Sequence, residues 1–155
     1  MYRFELNNID SQSVSTEMLQ VIENICDEFG LNNDFGIIST AMQQLIDLIE
    51  AHTHQAQDSY SMVFTVDSQR LIVSMQHKLA MPQFEKEVLQ SESDEAMILD
   101  RLTDTIECLN EGREFCVAFD IHPQATAEND QLVQDRQLAF LEKRMEVKLS
   151  KELKH

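Results

Sequence analysis

Glycine is nearly missing from this chain of 155 residues, which holds only Gly30, Gly36 and Gly112 and none from residue 37 to residue 111. Glycine lets a backbone turn through positive φ and approach a phosphate closely. Its scarcity excludes a G-x-x-x-x-G-K phosphate loop and a G-x-G-x-x-G dinucleotide fingerprint, neither of which the sequence contains. No apolar run approaches the ~20 residues of a membrane span. The opening Met1-Tyr-Arg-Phe-Glu lacks the apolar core of a signal peptide, so the expected location is the cytoplasm, with no membrane partner. The three cysteines, Cys26, Cys108 and Cys116, include no C-x-x-C pair and read as reduced, mostly buried thiols.

Positive charge is also scarce, and it is unevenly placed. Residues 1–135 carry 25 acidic and 6 basic side chains, whereas residues 136–155 carry 3 acidic and 6 basic ones, within an overall net charge of −16. A body this acidic repels phosphate backbones, which argues against nucleic acid as a partner. The charge serves solubility or matches a basic partner surface.

The most informative stretch is NDFGIISTAMQQLIDLIEAHTH, residues 33–54. At helical spacing Ile38, Ala41, Leu45, Leu48, Ile49 and His52 share one side, while Gln43, Asp47, Glu50 and His54 share the other. Asn33 is the candidate N-cap. The apolar stripe calls for burial against a sheet, with the polar ridge either solvated or forming one wall of a site.

Around this helix, Tyr2, Phe4 and Leu6 alternate as a short first strand, followed by a polar connector through Gln12. Leu19, Ile22, Ile25, Cys26 and Phe29 mark a helix that Gly30 terminates. Residues 60–66 and 70–76 alternate as two strands joined by a turn at Asp67-Ser68-Gln69. Residues 77–93, with Pro82 inside, read as an irregular excursion, functional or mobile. Ser93 opens a third helix with the stripe Ile98, Leu99, Leu102, Ile106 and Leu109, stopped by Asn110-Glu111-Gly112. Phe115, Val117, Phe119 and Ile121 form a fourth strand. After a polar linker, Leu138, Leu141, Met145, Leu149 and Leu153 recur at spacings of three and four, marking a final amphipathic helix. The order β-α-α-β-β-α-β predicts an α/β (α+β) two-layer sandwich, a mixed or antiparallel sheet with helices on one face, plus an extra C-terminal helix.

This pattern resembles the histidine-kinase-like ATPase (GHKL) fold, particularly the small bacterial anti-sigma-factor serine kinases. The segment AMQQLIDLIEAH is similar to the family's motif helix, and MILDRLTDTIECLNEGREFCVAFDIH to its closing helix and strand. The resemblance covers about residues 2–122 and implies a degenerate ATPase-fold domain over 1–122, with residues 123–155 a linker and C-terminal helix. It places the family's general-base glutamate on Gln43 and its magnesium-binding asparagine on Asp47, with Glu50 completing the remnant of the nucleotide motif. An amide is no base near neutral pH. The family's two glycine-bearing boxes would fall near MQHKLAMPQF and SDEAMILD, which contain no glycine.

Three functions stay open at this level. The leading one is a non-catalytic regulatory protein without cofactor. Its partner, by resemblance, would be a sigma factor, an antagonist or a signalling protein. The alternative is a divergent ATP-binding serine kinase holding magnesium through Asp47, because carboxylates suit that ion. The third is a subunit of a larger assembly. A metal site at His52, His54 and Glu50 is not expected, because positions two apart on a helix point in nearly opposite directions. No catalytic residue is assigned. Leu138, Leu141, Met145 and Leu149 are the expected partner-binding side chains, with a homodimer slightly favoured over docking within one chain.

Overall fold

Alternation of apolar and polar side chains builds the sheet. The computed structural model describes residues 2–53 and 59–123. Within them the chain runs β1 (Tyr2–Ile9), α1 (Val14–Phe29), α2 (Phe35–Thr53), β2 (Tyr60–Val66), β3 (Arg70–His77), a π-helical turn (Glu85–Leu89), α3 (Asp94–Leu102), β4 (Thr105–Leu109) and β5 (Glu114–Asp120). The strands form one five-stranded sheet in the order β1-β2-β3-β5-β4. All its pairings are antiparallel, so the sheet is not mixed.

Tyr60, Met62, Phe64 and Val66 of β2 lie level with His77, Met75, Val73 and Leu71 of β3, all on one buried face. That face and the buried stripes of α1 and α2 form a single apolar core. In α2 the buried set is Ile38, Ala41, Met42, Leu45, Ile46 and Ile49. Leu48, expected at the centre of the stripe, is only half-buried, while Met42 and Ile46 are interior. The buried arc is therefore turned from the expected one towards Met42.

Local signals set most boundaries. Gly30 ends α1 in the left-handed conformation (φ 70°, ψ 36°), as its position suggested. Asp67 Oδ1 accepts hydrogen bonds from the amides of Gln69 (2.8 Å) and Arg70 (2.7 Å), closing the β2–β3 turn and holding its carboxyl below the usual range. Ser93 Oγ accepts from the Ala96 amide at 3.2 Å and caps α3. β1 extends beyond Leu6 to Ile9 through a register shift, and Asn8 there takes φ 57°, a conformation asparagine tolerates.

Three expectations give way. Asn33 is not the cap of α2. The first helical bond runs from the Ile38 amide to the Asp34 carbonyl (3.0 Å), which puts Asp34 at the N-cap position. The third helix does not continue to Leu109. It ends at Leu102, and Thr105–Leu109 pairs with β5 as a fifth strand, so the order β-α-α-β-β-α-β is short by one strand. Thr103, Thr105 and Ile106 are β-branched, and the alternation of Ile106 and Cys108 with Thr105, Glu107 and Leu109 suits a strand. Ile98, assigned to the buried stripe, is 44% exposed. Residues 77–93, read as an irregular excursion, contain the π-helical turn Glu85–Leu89 and send Met81 and Phe84 into the core. The expected C-terminal helix, with Leu138, Leu141, Met145, Leu149 and Leu153, and the position of His54 lie outside the described residues.

Candidate functional site

The polar ridge of α2 is the wall on which the resemblance would put any remnant of a nucleotide site. Gln43 and Asp47 stand one turn apart, and Gln43 Nε2 donates to Asp47 Oδ1 at 2.9 Å. Asp47 is exposed, whereas Gln43 and Glu50 are half-buried. Glu50 leans towards the sheet, where the Tyr60 side chain is fully buried. Burial, then the charge and hydrogen-bonding of Glu50, then the charge of Asp47, push the Tyr60 hydroxyl well above the ordinary phenol range. The approach is loose, since no hydrogen bond of ordinary geometry closes on that hydroxyl. The ridge thus brings two carboxylates and an amide to one edge.

Behind the ridge, aromatic rings fill the space. The His52 ring meets Phe84 edge-on at 5.3 Å, and Phe84 meets Phe115 in the same way at 5.3 Å. Phe115 stacks on His77 at 6.0 Å, and His77 lies 6.2 Å from Tyr60. Phe84 is completely buried and Met81 nearly so. Both belong to the excursion that begins in MQHKLAMPQF, where the resemblance would put a glycine turn around a nucleotide. Here the stretch sends side chains into the interior.

His77 secures this arrangement. Its Nε2 donates to the Gly112 carbonyl at 2.7 Å, and its backbone amide donates to the Arg113 carbonyl at 2.9 Å. Burial, with the Gly112 hydrogen bond working against it, lowers its pKa from the usual histidine value, and because a carbonyl can only accept, Nε2 carries a proton in this contact. The Met81 amide donates to the Glu111 carbonyl at 2.7 Å. Asn110, Glu111 and Gly112 all have positive φ, of 51°, 57° and 80°. A Cβ on Gly112 would sit 2.4 Å from the Met81 carbonyl oxygen, so this glycine admits the chain's own backbone. Beside the loop lies a cleft of about 530 Å³ lined by Gln76, His77, Asn110, Glu111, Arg113 and Glu114. Its polar groups are engaged with one another: Asn110 Nδ2 donates to Glu114 at 2.6 Å, and Arg113 stands 3.7 Å from Glu111.

A second, smaller groove of about 190 Å³ runs between the start of α2 and α3, with Asp34, Ile37, Arg101, Leu102 and His122 among its walls. Asp34 accepts from the His122 backbone amide at 2.9 Å and from its ring Nδ1 at 3.1 Å. Asp104 accepts from the Asp120 amide close by. This acid–imidazole pair, 88 residues apart in the chain, has no local sequence signal.

His52 is half-buried against Phe84, and no group of three or more His, Cys, Asp or Glu side chains among the described residues is placed to hold a metal ion. Burial pushes the Cys26 thiol up to about 12 and also raises Cys108 and Cys116. Among the described residues, no helix is long and apolar enough to cross a membrane. No family model and no curated protein matches this chain.

Proposed function

We propose that this chain is a non-catalytic regulatory protein of the histidine-kinase-like ATPase type, resembling an anti-sigma-factor kinase that has lost nucleotide binding, and that it acts by contact with a protein partner. One observation carries the reading: Met81 and Phe84 occupy the interior beside α2 where, by resemblance, a nucleotide would need room. Gln43 adds to it, because the position of the expected base holds an amide already bonded to Asp47. In this reading the partner is a sigma factor, an antagonist or a signalling protein of a bacterial cytoplasm, bound through a preformed surface.

The alternative, a divergent kinase using magnesium at Asp47, draws on one feature: the Asp47 carboxylate is exposed beside Glu50 on the ridge. Isothermal titration of the full chain with ATP and magnesium separates the two. The regulatory reading expects no heat of binding. Saturable binding that Asp47→Ala abolishes would establish the alternative.

A further inference from the structure

An edge strand turns alternate N–H and C=O groups away from its single neighbour, and those groups accept another strand unless something blunts them. β4 is such an edge. It ends the sheet beside β5, the one strand with which it pairs. Among the described residues, no backbone hydrogen bond reaches it from its outer side. The usual guards are missing. Thr105–Leu109 holds neither proline nor lysine, and it stays in unbroken register with β5, without a bulge. Its side chains sort by face. Ile106 and Cys108 pack against the core yet are only half-buried. Thr105, Glu107 and Leu109 alternate with them and are exposed. The surroundings are acidic: Asp104, Glu107 and Glu111 are exposed, and Glu114 stands opposite Leu109. After burial, the charge of Glu85 raises the Cys108 thiol, and the charges of Glu107 and Glu114 raise that of Cys116, which lies opposite Glu107. Arg113, the nearby cation, stands 3.7 Å from Glu111.

We infer that β4 receives an extended segment of a partner protein, added to the sheet as a further strand, in which apolar and basic residues alternate. The apolar side chains continue the half-buried row of Ile106 and Cys108, and a basic one stands beside Glu107 on the other face. Main-chain hydrogen bonds then supply affinity, and the alternate side chains supply selection. The acids favour this occupant over a second copy of the chain. Two β4 edges brought together would set Asp104, Glu107 and Glu111 of one copy near those of the other, at a cost in like-charge repulsion. The assignment rests on the protein-contact reading above, and it names the surface and the chemistry of the partner that this reading leaves open.

NMR titration of the full ¹⁵N-labelled chain with three short peptides tests this. The first is acetyl-Lys-Val-Lys-Val-Lys-Val-amide. The second carries Glu in place of each Lys. The third is the Lys peptide N-methylated throughout, which keeps the charge and loses every backbone donor. The Lys peptide should shift the amides of Thr105–Leu109 first and slow their exchange with solvent, and the other two should not. Glu107→Lys, an exposed change that leaves the core intact, should weaken the Lys peptide about tenfold and bring the Glu peptide into binding. Equal shifts from the N-methylated peptide, or shifts spread over the whole acidic surface, would mean charge attraction alone and overturn the strand site. No shift at β4 would overturn it as well. Protection of the β4 amides that grows with protein concentration, without peptide, would assign the edge to a second copy and overturn the partner. Any of these leaves the regulatory reading standing on another surface, whereas ATP binding would remove that reading and leave the titration at β4 as it was.

Discussion

His122, just after β5, is tied to Asp34 at the start of α2: the histidine gives both its backbone amide and its ring Nδ1 to one buried carboxylate, at 2.9 and 3.1 Å. The carboxylate is almost covered while the ring is exposed. The hydrogen bond to Asp34, then its charge, raise the His122 pKa above the ordinary value, with Asp120 and Asp104 adding to it. A histidine that holds its proton more tightly when folded stabilises fully below the ordinary range near ~6.5, and that contribution is lost as pH rises through the raised value. An NMR titration of the ring should therefore show a midpoint above the ordinary value in the native chain. Asp34→Asn should bring it most of the way back. The melting-temperature difference between the native chain and Asp34→Asn should be largest at mildly acidic pH and shrink as pH rises through the raised His122 value. A difference that grows with pH would contradict this account.

Gly112 and Gly36 make a matched pair for testing backbone constraint. At Gly112 a side chain meets both a positive φ of 80° and the Met81 carbonyl oxygen. Gly112→Ala should cost about 2 kcal/mol or more by urea denaturation. At Gly36 a Cβ meets nothing within 4 Å. Gly36→Ala, in the first turn of α2, should be neutral or stabilise by up to ~1 kcal/mol.

Phe84 distinguishes a core residue of the excursion from a lid. It is fully buried and touches the rings of His52 and Phe115. Phe84→Ala should cost about 3–5 kcal/mol, close to the ~2–5 kcal/mol expected of Leu45→Ala, and Asp47→Ala much less. A Phe84 variant as stable as the native chain would mean that the excursion opens freely.

What was legible in the sequence followed from how local the physics was. The paired strands at 60–66 and 70–77 show period-two alternation with a self-bonding aspartate at their turn, and Gly30 and Ser93 act within their own helices. The tail of α3 was misread because Ile98, Leu102, Ile106 and Leu109 fit a helical stripe, while Ile106 and Cys108 equally fit the buried side of a strand. The long-range pairing with β5 decides between them. Asn33 looked like a cap because it stands beside Asp34, whose carbonyl takes that position and whose carboxylate answers to a residue near the far end of the body. Of the proposed site, the ridge of Gln43, Asp47 and Glu50 was legible from spacing alone. The aromatic packing behind it was not, because Phe84 meets Phe115, and His77 meets Gly112, only through tertiary structure.

The central proposal is that the chain's own side chains take the space that, by resemblance, a nucleotide would need, and the melting temperature of the full chain with millimolar Mg-ATP tests it most directly. A ligand at a hundred times its dissociation constant stabilises the native state by about 2.7 kcal/mol. For a domain of this size that is a rise of several degrees. The account predicts no rise; a reproducible one that Asp47→Ala removes would contradict it.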